Sequence, residues 1–264
     1  MSEPTPDPPP KRKIRISISR QRMVEFAVVV LGVLVALGLE NLIQEVRFRA
    51  DARDLERAFV DDVSRAAFLS LERQAVTPCL IQRLRVLSER VDAASGDLEA
   101  VEASSSGFGF ATPQAYRSPT RLWVTASFDR ALGSEAFKRI PADRAAEYAA
   151  LFAQIRGQQE RNDAEFLAAM GLAPLAYSQP NMNAEVRADA LQQISNLDRH
   201  QALIATASEQ IVENALSLQL IGKDVRRFLN DDEGFPEYRS EMRAAYGDCL
   251  DFTAMERLLT PDAS

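Results

Sequence analysis

The chain has 264 residues, of which 46% are hydrophobic, and a formal charge of −7 from 38 acidic and 31 basic side chains. An anionic protein is repelled by phosphate backbones, which excludes nucleic acid as a partner for everything beyond the first 22 residues. One histidine and two cysteines are too few for a metal centre of the usual kind, so no metal or cofactor is expected. Glycine is sparse at 11 residues, while Ala, Leu, Glu and Arg are frequent, a composition that predicts an all-α fold.

In chain order, residues 1–10 (MSEPTPDPPP) carry five prolines and almost nothing to bury, which predicts a disordered tail. The next segment holds Lys11, Arg12, Lys13, Arg15, Arg20 and Arg22. Alternating Ile14, Ile16 and Ile18 fit a short strand or a segment in lipid headgroups. The second reading is preferred, because each basic side chain near an anionic surface contributes about 1 kcal/mol. The uninterrupted apolar run, residues 26–39, has a length also found in core helices and signal peptides. Adding Met23, Val24, Leu42 and Ile43, with Glu25, Glu40 and Asn41 at the interfaces, gives a transmembrane helix over 23–43, roughly 31 Å long. The basic flank favours that reading. Ala36-Leu37-Gly38 has the spacing of a cleavage site, but no helix breaker precedes it and the pattern runs on, so a retained anchor is expected. Six basic residues before the helix face Arg47, Arg49, Arg53 and Arg57 after it, which puts the N-terminus in the cytoplasm and residues 44–264 outside the inner membrane.

Phe48, Ala52, Leu55, Phe59, Val63 and Ala66 extend one helical stripe, predicting a first helix over about 22–75. Thr77-Pro78 reads as the start of a second helix, running to Ser95. A short helix is expected over 97–103, then an irregular stretch over 104–119. A helix over 120–132 and a short one over 134–139 follow. Pro141 opens a long helix whose stripe is Ala145, Tyr148, Leu151, Phe152, Ile155, Phe166, Leu167 and Met170, ending at Gly171. After a loop over 173–183, periodicity predicts helix over 184–229 with a bend near Asn196, then short helices over 238–246 and 252–259. Together they predict an antiparallel bundle.

The run VVVLGVLVALGLENL and the later RLWVTASFDRALGSEAFKRIPADRAAEYAALFAQI resemble a group of uncharacterised bacterial single-pass membrane proteins with a VxLGVLxAL-type anchor. The matching features are residues 31–37, Trp123, Leu132-Gly133-Ser134 and Tyr148. The resemblance covers about half of the chain. It implies an anchored helical domain outside the cytoplasm and no particular activity.

Four sets of residues are candidates for function. Cys79 and Cys249 form a disulfide in an oxidising compartment, or remain two buried thiols. Glu25, Val29, Gly32, Ala36 and Glu40 share one face of the anchor. Small residues at its centre suit close packing against another membrane helix; the alternative is ordinary small residues with both glutamates in the headgroups. Phe108, Phe110, Tyr116 and Trp123 line a pocket or plug the end of the bundle. The acidic run 230–234 lacks the spacing of a calcium loop and reads as a solvated helix end, and His200 as an edge residue of a helix. No nucleophile elbow, phosphate loop or kinase signature occurs, so the chain is not expected to be an enzyme. The expected function is a non-enzymatic interaction or scaffold domain on lipid, with a homo-oligomer or another envelope protein as partner. A ligand-sensing domain that signals through a partner is the alternative.

Overall fold

The computed structural model describes residues 20–100, 115–117 and 119–258. Among these there are seven α-helices and no strand, an all-α architecture: α1 (Arg20–Ala93), α2 (Ala126–Ala131), α3 (Ala142–Gly171), α4 (Ala184–Ser217), α5 (Lys223–Leu229), α6 (Gly234–Tyr246) and α7 (Thr253–Arg257). Contacts divide the chain into two units, Met1–Ala50 and Asp51–Ser264.

The first unit, where described, is the apolar part of α1. Its large side chains from Met23 to Val46 are all exposed, among them Phe26 at 71% and Leu34 at 60%. A helix this apolar with none of its most apolar window buried is long enough to cross a membrane.

The second unit folds around the rest of α1. Phe59, Val63, Leu71, Val76, Leu87 and Val91 are completely buried along one stripe of it. Two apolar clusters share that stripe. One gathers Phe59, Val63 and Ala67 with Tyr148, Phe152 and Ile155 of α3 and Ile211 and Ala215 of α4. The other gathers Leu71 to Val91 with Leu172, Leu175, Ile194, Leu197, Met242 and Phe252. Moving along the chain, α1 and α3 pass from the first cluster to the second, and α4 passes back. The antiparallel relation is therefore that of α4 against the other two. Phe59 is the centre of the first cluster, with ring centroids 5.0 Å from Tyr148, 5.3 Å from Phe152 and 5.6 Å from Phe128. The 3-10 turn Phe137–Arg139 closes this end.

Several boundaries differ from the sequence expectation, each for a local reason. The helix start expected at Thr77-Pro78 does not exist, because α1 continues through Pro78 to Ala93. Proline removes one backbone donor, but the Thr77 hydroxyl donates to the Arg73 carbonyl at 2.8 Å and burial of Val76, Leu80 and Leu84 holds the helix together. The helix expected over 97–103 is replaced, in its described part, by a single antiparallel bridge between Leu98 and Gln179, with bonds of 2.9 and 2.8 Å. Only Ala126–Ala131 of the helix expected over 120–132 forms. Residues before it are drawn away by tertiary partners: the Trp123 amide donates to Gln159 and the Arg121 guanidinium reaches Glu72.

The long helix expected over 184–229 breaks after Ser217 instead of bending near Asn196. Gln219 takes a positive φ of 55°, and Leu220 and Ile221 turn into the core. Ser64 of α1 clamps this turn, its hydroxyl donating to the Leu220 carbonyl and accepting from the Gly222 amide. A Cβ at Gly222 would meet that hydroxyl oxygen at 2.9 Å, so glycine is required for the approach. The long helix begins at Ala142 and ends at Gly171 as the periodicity indicates. At the acidic run, Asp231 accepts from the amides of Glu233 and Gly234 where α6 begins, which holds its carboxyl below the usual carboxylate range.

Removing the Phe59 ring empties the centre of an aromatic cluster. Phe59→Ala is expected to lower unfolding stability by about 3–5 kcal/mol, read from the urea midpoint of the full chain in detergent.

Candidate functional site

The residues singled out in the sequence separate into three places. On the apolar part of α1, Glu25, Val29, Gly32, Ala36 and Glu40 are all exposed, and a Cβ built at Gly32 meets nothing within 4 Å. Cys79 of α1 and Cys249, which follows α6, are joined by a disulfide with a Cα–Cα distance of 5.0 Å. Beside it the Asp251 amide donates to the Ala75 carbonyl at 3.0 Å, so the segment before α7 is tied to α1 twice. Phe108 and Phe110 lie outside the described residues. Tyr116 and Trp123 are buried, at 4% and 6% exposure, and belong to different clusters.

Between the two apolar clusters lies a layer of buried polar side chains that the sequence reading did not identify. It consists of Arg73 of α1, Gln158, Asn162 and Glu165 of α3, and Gln201 and Ser208 of α4, each at most 4% exposed. The expected α3 stripe moved to Phe166, Leu167 and Met170, all of which are exposed, Leu167 at 68%. The buried face keeps the helical register instead. From Tyr148, Leu151 and Ile155 it proceeds by steps of three and four to Gln158, Asn162 and Glu165. Register was the available signal, and residue polarity obscured it.

Arg73 and Glu165 form the centre of this layer, with Nη2 2.6 Å from Oε1 and side chains 4% and 0% exposed. The same Arg73 nitrogen donates to Gln201 Oε1 at 2.8 Å. Tyr116 donates its hydroxyl to Glu165 Oε1 at 2.9 Å, and the Gln201 amide donates to both the Tyr116 hydroxyl and Glu165. Three chain segments thus converge on the carboxylate of a fourth. Burial, and after it the Glu165 charge, push the Tyr116 phenol well above its ordinary value, so it remains a neutral donor. A second pair flanks the first. Arg121 Nε lies 2.8 Å from Glu72 Oε1, and Tyr238 donates to Glu72 Oε2 at 3.1 Å. Burial, then the Glu72 charge, raise the Tyr238 phenol also.

Carboxylates, guanidiniums and phenols bond one another and present no exposed nucleophile. No group of three or more His, Cys, Asp or Glu able to hold a metal ion occurs among the described residues. A cavity of about 10 Å³ borders the layer, with Glu72, Arg73, Arg121, Trp123 and Gln158 in its wall. That is room for about one water and not for an organic substrate.

Among the described residues the architecture is all-α, with one helix long and apolar enough to cross a membrane. Compared with known proteins, the chain matches no family model, no curated protein and no solved structure.

Two outcomes follow from the layer. Tyr116→Phe removes a donor to a buried carboxylate and should cost about 1.5–3 kcal/mol, read by urea unfolding. Burial raises the folded-state phenols of Tyr116, Tyr238 and Tyr246 above the value of about 10 in the unfolded chain. The native state therefore keeps these protons longer. Their contribution is complete below about pH 10 and is lost as pH rises beyond it. The urea midpoint should fall between pH 8.5 and pH 10.5, and the fall should shrink in Tyr116→Phe.

Proposed function

We propose that this protein is a membrane-anchored, non-enzymatic interaction or scaffold domain of the bacterial cell envelope. The observation that carries the reading is the contrast between its two units. The first exposes an apolar helix that water does not tolerate, and the second buries its own core and needs no lipid. In this reading residues 23–43 span the inner membrane, the basic N-terminal segment stays in the cytoplasm, and residues 44–264 lie in the periplasm. The charge bias of six to four supports that orientation, and the Cys79–Cys249 disulfide suits an oxidising compartment. The resemblance to anchored helical proteins of bacteria supports the same placement.

An interaction role, as opposed to catalysis, is favoured because the charged side chains that converge in the second unit pair with one another, Arg73 with Glu165 and Arg121 with Glu72. The partner is another envelope protein or a second copy of the chain. The anchor face of Glu25, Val29, Gly32, Ala36 and Glu40 is its proposed contact within the bilayer, since small residues permit close helix approach.

The full chain is expected to stay with membranes through an alkaline carbonate wash, and protease added to spheroplasts is expected to digest the helical unit. Release by carbonate, or protection from protease until the inner membrane is opened, contradicts the placement. A cysteine placed at Gly32 should crosslink to a second copy or to a copurifying membrane protein. Absence of any crosslinked species in native membranes contradicts the contact.

A further inference from the structure

Beside the ion pairs, three buried side chains keep unused hydrogen-bonding capacity, and all three line the same cavity. Arg73, Trp123 and Gln158 are 3%, 6% and 0% exposed. Nε and Nη1 of Arg73, Nε1 of Trp123 and Oε1 of Gln158 have no hydrogen-bond partner among the described residues. Leaving a buried polar group unpaired is costly, and several around one cavity point to a polar occupant.

Volume, charge and hydrogen-bond polarity then identify that occupant. About 10 Å³ admits one water-sized species. The two guanidiniums in the wall are each paired with a carboxylate, Arg73 with Glu165 and Arg121 with Glu72. The surroundings thus carry no net positive charge to repay the desolvation of an anion. The Gln158 amide is oriented by its Nε2, which donates to Ser208 Oγ at 3.0 Å and to the Ile204 carbonyl at 3.4 Å, leaving Oε1 as an acceptor. Donors come from Arg73 and from Trp123. An occupant must therefore accept from two sides and donate to a third, which a halide cannot do.

We propose that this cavity is a built site for one structural water, which accepts from Trp123 Nε1 and the Arg73 guanidinium and donates to Gln158 Oε1. The water links the irregular segment before α2 to α1 and α3. It also gives Trp123 a role, as the donor that closes the polar layer.

The chain has a single tryptophan, so its indole N–H is one resonance that needs no assignment. In the full chain labelled with ¹⁵N-tryptophan in detergent micelles, a water-selective experiment should show a cross-peak between this proton and a long-lived water. Gln158→Met, which removes the acceptor and fills the cavity, should abolish the cross-peak while the helical circular dichroism persists. A crystal structure of the full chain grown with bromide supplies the independent arm. Density about 2.7–3.2 Å from Trp123 Nε1 without anomalous signal supports the water. An anomalous bromide peak there, or no density, overturns the proposal, whether or not the variant folds.

Discussion

A guanidinium and a carboxylate placed in a protein interior must find one another, because each alone forfeits several kcal/mol of hydration. Arg73 and Glu165 meet at 2.6 Å with almost no exposed surface, and the rest of the second unit is arranged consistently with that meeting. Apolar clusters above and below specify register less sharply, since cores tolerate volume-conserving swaps among apolar side chains. A buried charge pair cannot slide. It sets the register of α1 against α3, and Gln201 and Tyr116, bonded to the same two groups, extend the constraint to α4 and to the segment at 115–117.

The second constraint is the junction of opposite solvent demands within α1. Its first part exposes apolar side chains around the helix, and its later part buries them along one stripe, as a helical core requires. The Ser64 clamp on the Leu220–Gly222 turn and the disulfide from Cys79 to Cys249 attach the C-terminal half of the chain to that stripe. A single helix thereby serves as the spine for everything that follows it.

Much of this was legible in the sequence. The all-α class follows from composition, the helix long and apolar enough to cross a membrane from residues 23–43, and the ends of α3 from Pro141 and Gly171. What could not be read was decided by partners distant in sequence. Pro78 reads as a start because its neighbours alone favour one, yet burial of Val76 and Leu80 carries the helix through it. Residues 120–125 have helical neighbours but stay irregular, with Trp123 bonded to Gln159 and Arg121 to Glu72, which lie elsewhere in the chain. The polar layer was hidden because hydrophobicity drew the α3 stripe to Phe166, Leu167 and Met170. The buried positions are one register step away, and their polarity makes sense only once Arg73 is known to face them. Of the aromatic set, Tyr116 and Trp123 are buried members of the interior, Tyr116 bonded to Glu165 and Trp123 packed in the first apolar cluster.

The claim that the Arg73–Glu165 pair fixes the helical register is tested most directly by a double-mutant cycle. Arg73→Met, Glu165→Leu and the double variant would be unfolded in urea beside the parent chain. Each single variant leaves an uncompensated buried charge and is expected to lose about 3–5 kcal/mol, whereas the double variant should lose far less than the sum. Additive losses, or single variants as stable as the parent, would contradict the account.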